Sequence, residues 1–131
     1  MKTFVLLAML FLHVLDDFCL QAAVLNKLKC RSWWTENAPD EKYARDYVAA
    51  LCAHGYSWAF LTMLPLAVYL GISGADCPGL FAAAVLANAA LHAAIDDAKA
   101  NRHKLNLIQD QLLHVIQILL THTAFAYALR F

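Results

Sequence analysis

The segment at positions 77–99, CPGLFAAAVLANAALHAAIDDAK, is apolar along most of its length but carries His92 and Asp96 near one end. A helix of this length can cross a bilayer, which takes about 20 apolar residues. Residues four apart lie on one face of a helix, so the imidazole and the carboxylate point in the same direction. Because ionisable side chains at membrane depth are energetically costly, they usually mark a functional site. The segment therefore predicts a transmembrane helix that contributes to such a site.

The same spacing of histidine and aspartate occurs in two more apolar segments. His13 and Asp17 form one pair and Asp110 and His114 the other, while His54 lies in a fourth segment. Helices are predicted at about 3–25, 47–72, 77–99 and 105–131, with a polar loop at 26–46. Since 62% of the residues are hydrophobic and 15% are charged, the chain is too apolar for an ordinary soluble domain. These features predict an all-α fold: a single integral membrane domain over 1–131, built as an antiparallel, up-down four-helix transmembrane bundle.

Basic residues are distributed unequally between the two sides of this predicted bundle. Eight of the ten lie in the first and third loops, and only Lys2 and Arg130 lie on the opposite side. The positive-inside rule then predicts a multi-pass protein of the bacterial inner membrane with both termini outside the cytoplasm. A cleavable signal peptide at 1–23 is the alternative for the first segment, since Lys2 precedes the apolar run Phe4–Leu12. His13 and the two aspartates that follow interrupt that run and favour a retained helix.

Candidate metal ligands all fall in the half of the bilayer nearest the cytoplasm in this topology. They are His13, Asp17, His54, His92, Asp96, Asp110 and His114. Imidazole and carboxylate ligands suit zinc, manganese or iron. Seven ligands exceed the four of a structural zinc site and suffice for two ions bridged by an aspartate. We expect one or two divalent ions, zinc first, although a hydrogen-bonded network of protonated histidines and aspartates without metal is the alternative.

Other polar residues near these ligands have predicted supporting roles. Asp17, Asp96 and Lys99 are the candidate catalytic groups, since an aspartate can act as a base and a lysine can bind an anionic oxygen. Gln21, Asn88 and Gln111 are expected to bind or orient the cofactor and its ligands. Asp16 and Asp97 point about 100° away from the chosen acids on an ideal helix and are secondary.

Three stretches of the chain carry a resemblance to a known family. The stretch His13-Val-Leu-Asp-Asp-Phe-Cys-Leu-Gln21 resembles the H-x-x-x-D-F-x-x-Q opening of a family of small bacterial and phage integral membrane proteins of unknown function. Ile95-Asp96 with Lys99, and Asp110-Gln111-Leu-Leu-His114, resemble that family's second half, including its D-Q-x-x-H motif. The chain also loosely resembles bacterial membrane-bound proteins regarded as metal-dependent hydrolases. It departs from the family pattern in its long polar loop and its doubled aspartate.

Three functions are consistent with these observations. The first is a metal-dependent hydrolase of a lipid-linked or amphipathic substrate. The second is an ion or proton transporter or relay, which would need polar residues that continue toward the outer side. The third is a non-enzymatic interaction protein of a phage or bacterial membrane. The bilayer is the expected partner, and a net charge of zero gives no indication of nucleic acid.

Overall fold

The computed structural model describes residues 2–21 and 23–128 and consists of helices joined by short connections. The α-helices are α1 (Lys2–Leu15), α2 (Ala23–Leu28), α3 (Arg31–Asn37), α4 (Asp46–Ser73), α5 (Pro78–Ala100) and α6 (Leu107–Ala128). A π-helical segment, Asp16–Leu20, continues α1, and Glu41–Tyr43 forms a 3-10 turn. No strand occurs within the described ranges, so the all-α prediction is confirmed. The four-helix prediction is wrong in number, because six α-helices are present in those ranges.

The largest departures from the predicted boundaries lie between α1 and α4. The predicted helix over 3–25 loses α-helical geometry after Leu15, and Gln21 is extended, with φ −63° and ψ 99°. The predicted polar loop at 26–46 instead includes part of α2, all of α3 and the 3-10 turn. Tertiary contacts stabilise these short helices: the Trp34 indole Nε1 donates to the carbonyl of Leu28 at 2.8 Å and its ring stacks on Tyr43. Helices this short are marginal by themselves, which is why periodicity did not predict them.

Helix ends in the second half of the chain follow local sequence signals. Gly74 ends α4 in the left-handed region, with φ 69°, and Pro78 occupies the first turn of α5. Asn106 and Gln109 form a reciprocal capping box, in which each side chain accepts from the other residue's backbone N–H. This box starts α6 at Leu107 rather than at 105, and the predicted end of that helix, 129–131, lies outside the described residues.

Small residues bring α4 and α5 into close contact beside the candidate ligands. A Cβ placed on Gly55 would lie 2.6 Å from the carbonyl oxygen of Ala89 and 3.2 Å from the Cβ of Ala93. Only glycine fits at this crossing, so Gly55 and the alanines of α5 determine the distance between the helices. The close approach places His54 next to His92, with ring centroids 4.9 Å apart.

The interior of the molecule is divided into an apolar half and a polar half. The apolar half contains Val5, Met9, Met63, Leu66, Leu70, Val85, Ile118 and Phe125, all buried. The polar half contains the buried residues His13, Asp16, Lys29, His54, His92, Asp96, Asp110 and His114. Trp58 is fully buried at the boundary, where its ring stacks on His92 at 4.2 Å between centroids.

Large apolar side chains cover much of the exterior. Exposed examples include Phe4, Phe11, Ile72, Leu86, Ile108 and Leu120. Three helical stretches are long and apolar enough to cross a membrane: Lys2–Leu20, Glu41–Ser73 and Pro78–Ala100. Within the described residues α6 does not reach that level, because glutamines, histidines and Asp110 interrupt its apolar pattern. A polar interior within an apolar exterior is the distribution expected where the surroundings are lipid or another apolar surface.

Candidate metal centre

Four elements bring the predicted ligands together in one buried cluster. α1 and its π segment contribute His13 and Asp17, and α4 contributes His54. The other two pairs come from α5 and α6: His92 with Asp96, and Asp110 with His114. Three of the four histidines belong to two overlapping groups whose ligand atoms all lie within 4.8 Å of one another: Asp17, His54, His92 and His92, Asp96, His114. The residues present could therefore hold a metal ion.

Separations between imidazole nitrogens and carboxylate oxygens in the cluster are longer than hydrogen bonds. His54 Nε2 lies 3.5 Å from Asp17 Oδ1 and 3.6 Å from Asp96 Oδ2. His114 Nε2 lies 3.5 Å from Asp96 Oδ1. Nitrogen–oxygen hydrogen bonds are shorter, at roughly 2.7–3.2 Å. Two ligands at about 2.1 Å from one tetrahedral zinc ion are about 3.4 Å apart, so the observed spacing suits atoms that share an ion.

Several buried polar atoms in this cluster lack a hydrogen-bond partner among the described residues. They include five that face the shared ligand space: Asp17 Oδ1, His54 Nε2, His92 Nε2, Asp110 Oδ1 and His114 Nε2. A buried donor or acceptor without a partner costs about 1–3 kcal/mol. Five such atoms on converging side chains are hard to reconcile with a stable fold unless an ion or water satisfies them. The donor set, histidine with aspartate, is the chemistry that binds zinc, manganese or iron.

Asp96 lies between two sets of ligands and directs one oxygen to each. Its Oδ2 faces His54 and also His92, whose Nε2 is 3.8 Å away. Its Oδ1 faces His114 Nε2, which is also 3.6 Å from Asp110 Oδ1. One set thus comprises Asp17, His54, His92 and Asp96, and the other comprises Asp96, Asp110 and His114. A carboxylate in this position can bridge two ions, as in two-metal sites.

His13 is buried beside the cluster but lies outside the two groups of ligands. The Trp58 indole Nε1 donates to His13 Nδ1 at 2.9 Å. A neutral imidazole that accepts at Nδ1 carries its proton on Nε2, which leaves no free lone pair for a metal. His13 Nδ1 is also 3.6 Å from Asp17 Oδ2, so in this arrangement His13 packs against a ligand.

Asp16 is the acidic residue whose orientation was wrongly predicted. It is buried, its Oδ2 lies 3.7 Å from His54 Nδ1, and its Oδ1 accepts from Ser57 Oγ at 3.4 Å. The π-helical bond from the Gln21 N–H to the Asp16 carbonyl, 2.8 Å, widens this turn. Consecutive aspartates can then both face neighbouring helices, whereas an ideal α-helix would turn one of them away. Asp16 therefore lies beside the Nδ1 of His54, away from the Nε2 that faces the other ligands.

Lys29 is a site residue that the sequence did not reveal. Its Nζ donates to Asp96 Oδ2 at 2.5 Å, and only 7% of its side chain is exposed. Asn101, at the end of α5, holds this segment by donating to the Lys29 carbonyl and accepting from the Arg31 N–H. The sequence shows Lys29 only as one of several basic residues in a polar stretch, and no spacing connects it with Asp96. Because its ammonium group is buried against the Asp96 carboxylate, Lys29 is not one of the interfacial charges on which the positive-inside rule depends.

The remaining predicted residues divide between the cluster and a neighbouring polar layer. Gln111 Nε2 donates to Asp17 Oδ2 at 2.9 Å and to Asp110 Oδ2 at 3.2 Å, and Lys99 Nζ donates to Asp110 Oδ2 at 2.6 Å. Asn88 is not brought to the cluster. Its side-chain oxygen accepts from Gln117 Nε2 at 2.8 Å, one helical turn toward the apolar half.

A polar cavity of about 290 Å³ opens beside the cluster. Its walls include Asp17, Gln21, Lys29, Asp96 and Lys99. It lies where α2 and the start of α6 meet the π segment that follows α1 and the C-terminal end of α5. Two of the candidate ligands, Asp17 and Asp96, are therefore accessible from this cavity.

The chain was compared with protein families, characterised proteins and solved structures. No family model, characterised protein or solved structure matches it. The family resemblance carried by the three motifs therefore stays a prediction, and the site's geometry is what bears on function.

Proposed function

We propose that this protein is an integral membrane hydrolase with a two-ion metal centre that acts on a lipid-linked or amphipathic substrate. The single observation that carries the proposal is the position of Asp96, with one carboxylate oxygen facing each of two sets of buried ligands at 3.5–3.6 Å. The proposal includes membership of the small bacterial and phage membrane family that the motifs resemble.

The membrane location is supported by composition and by the distribution of polar groups. Three helical stretches are apolar and long enough to span, and large apolar side chains cover the surface around a polar interior. In the proposed topology the protein is multi-pass in a bacterial inner membrane, with the centre on the cytoplasmic side and both termini outside. A reporter inserted at 37–41 would then be cytoplasmic, and a periplasmic signal there would reverse the orientation.

The hydrolytic reaction is supported by the opening beside the centre. A catalytic zinc site keeps a position for water, and the second set offers three protein ligands, one fewer than a closed structural site. Two ions would supply a nucleophile from water near neutral pH and stabilise developing negative charge. Asp17 borders the cavity and is oriented by Gln111, so it is placed to accept a proton. Lys99 borders the same cavity and is placed to bind an anionic oxygen of the substrate.

Elemental analysis of the protein purified in detergent tests the metal centre. We expect two divalent ions per chain, with zinc the first candidate and manganese or iron the alternatives. His92→Ala should lose the ion of the set that contains Asp17 and His54, because His92 is fully buried and its Nε2 lies 3.9 Å from Asp17 Oδ1 and 3.8 Å from Asp96 Oδ2. His103→Ala, at an exposed position, is the matched control and should retain both ions. A wild-type protein that holds no metal after purification and cannot be loaded would refute the proposal.

Transport of an ion or proton is the second candidate, and one observation favours it. Asn88, Gln117 and Thr121 extend the polar interior by one layer beyond the ligands. Beyond that layer the interior consists of buried apolar residues, among them Met63, Leu66 and Ile118. Ion or proton flux in proteoliposomes that depends on Gln117 would favour transport, whereas turnover of an amphipathic ester without flux would favour hydrolysis. A non-enzymatic interaction protein would show neither.

A further inference from the structure

The cavity beside the candidate centre contains two lysines that the metal-ligand pattern does not require. Lys29 and Lys99 both line it, and each donates to an aspartate of the cluster. A lysine ammonium has three N–H donors, so each retains donors for a further acceptor in the cavity. Gln21 Nε2, another buried donor on the same wall, has no partner among the described residues. The wall is therefore rich in donors that an anion with several oxygens would satisfy.

Charge counting gives the sign of the ligand. The cluster contains four carboxylates, from Asp16, Asp17, Asp96 and Asp110, and the two ammonium groups reduce the formal charge to −2 when the histidines are neutral. Two divalent ions would raise this charge to +2. Such an excess in a buried site is unfavourable unless an anion balances it. The metal-free cluster would repel a dianion, and the loaded centre would attract it.

Lys29 and a metal ion would compete for the same oxygen of Asp96, which strengthens the need for an anion in the cavity. Lys29 donates to Asp96 Oδ2, the same oxygen that faces His54 and His92. An ion bound there would displace the lysine ammonium toward the cavity, where it needs a new negative partner. Metal binding and anion binding are thus coupled through one carboxylate oxygen.

The volume of the cavity and the residues at its rim indicate what kind of molecule the anionic group belongs to. A volume of about 290 Å³ is at the small end for ligand pockets, which suits a headgroup rather than a whole large ligand. At its rim Phe18 and Leu107 are 57% and 53% exposed. Polar donors inside and apolar side chains at the rim fit a charged group attached to an apolar tail.

We infer that this cavity is a phosphate-binding subsite, in which Lys29, Lys99 and the loaded metal centre bind the phosphate group of the substrate. This inference deepens the proposed hydrolase and rests on it, because the anion is bound only when the ions are present. Phosphate is the chemistry that satisfies several N–H donors and two cations at once, and lysine binds it as a point charge.

Equilibrium dialysis of the zinc-loaded protein in detergent, with labelled inorganic phosphate as the probe, tests the inference. We expect saturable binding to the loaded protein and none to the metal-free protein. Lys29→Met and Lys99→Met should each weaken phosphate binding by about tenfold, the effect of one charge-assisted hydrogen bond. Lys27→Met is the matched control. Lys27 is exposed on α2, two residues before Lys29, and this variant should bind phosphate as the wild type does.

Metal content measured on the same samples tests the metal centre separately from the phosphate subsite. Lys29→Met should keep its zinc, or hold it more tightly, since the lysine competes with the ion for Asp96. Zinc retained without phosphate binding in the wild type would overturn the phosphate subsite and leave the metal centre standing. A protein that cannot hold zinc would overturn both, and equal phosphate binding with and without metal would overturn the coupling.

Competition by short-chain phosphatidic acid, with phosphatidylcholine as control, distinguishes the source of the phosphate group. Displacement of labelled phosphate at concentrations well below those needed for unlabelled phosphate would support a lipid-linked group held by Phe18 and Leu107. Displacement at equal concentrations would support the phosphate group alone. Failure of both phosphatidic acid and unlabelled phosphate to displace the label would show non-specific binding and refute the subsite.

Discussion

The two halves of the interior differ in what holds the same helices together. In the apolar half, Leu66, Ile118 and their neighbours pack without polar partners, as in any protein core. In the polar half, the same helices present histidines and aspartates at distances too long for hydrogen bonds. Dispersion and close packing suffice for the first half, whereas the second depends on something that satisfies its ligand atoms. Packing in the apolar half should therefore determine the stability of the fold, whereas the ligands in the polar half should determine metal binding.

The largest effect on the polar half is expected from replacing Asp96, whose carboxylate faces both sets of ligands. Asp96→Asn keeps the size of the side chain but removes its charge and one acceptor oxygen. Since Asp96 faces both sets of ligands, we expect loss of both ions, an affinity decrease of more than about 100-fold. Elemental analysis after equilibration with zinc measures it. Asp97→Asn, the adjacent residue that pairs with Arg102, is the control, and equal metal content in the two variants would contradict the bridging role.

A cavity made in the apolar half should lower the stability of the fold and leave metal binding unchanged. Leu66 is fully buried in α4, and Leu66→Ala should lower the free energy of unfolding by about 2–5 kcal/mol. The substitution is 12 residues from His54 along the helix, about 18 Å, so the metal content should not change. Denaturant unfolding in mixed micelles and elemental analysis measure the two quantities. Leu64→Ala, at a position that is 39% exposed, controls for the loss of a leucine, and metal loss in Leu66→Ala would show that the halves are not separable.

Asp16→Asn sharpens the comparison within the polar half. Asp16 does not face the shared ligand space but the far nitrogen of His54, so both ions should still bind at saturating metal. The affinity should fall by about tenfold, the low end of the usual effect of losing an outer carboxylate, because Asp16 is 3.7 Å from the ring and not hydrogen-bonded to it. Zinc titration against a chelator of known affinity measures the change. Asp76→Asn, in the exposed turn between α4 and α5, should titrate as the wild type does; an unchanged Asp16→Asn would make that carboxylate merely structural.

The prediction from sequence was most accurate where one helix carried the information. The pairs His92 with Asp96 and Asp110 with His114 share a face because residues four apart always do so on an α-helix. The extents of α4 and α5, Asp46–Ser73 and Pro78–Ala100, lie within one residue of the predicted spans, since Gly74 and Pro78 mark the turn between them. Local signals were sufficient there.

Errors arose where the backbone departs from α-helical geometry or where tertiary contacts stabilise short elements. Asp16 was assigned to the wrong face because the π-helical turn at Asp16–Leu20 breaks the period of 3.6 residues on which the assignment depended. α3 was missed because contacts such as the bond from Trp34 to Leu28 stabilise it, rather than an amphipathic pattern. Asn88 was predicted to serve the cofactor because it lies on the stripe of His92, but its oxygen is engaged by Gln117 and Thr121.

The sequence alone determined the composition of the site, its depth in apolar segments and the face on which each histidine–aspartate pair lies. These properties follow from residue type and helical period, which are local. Only the tertiary structure decided that Asp96 directs its two oxygens to different ligand sets and that Lys29, 67 residues away, donates to one of them. The contact at Gly55 brings His54 to His92, and no spacing along the chain encodes the distance between two packed helices. Local periodicity orients a side chain about its own helix axis, whereas the packing of helices determines which atoms meet.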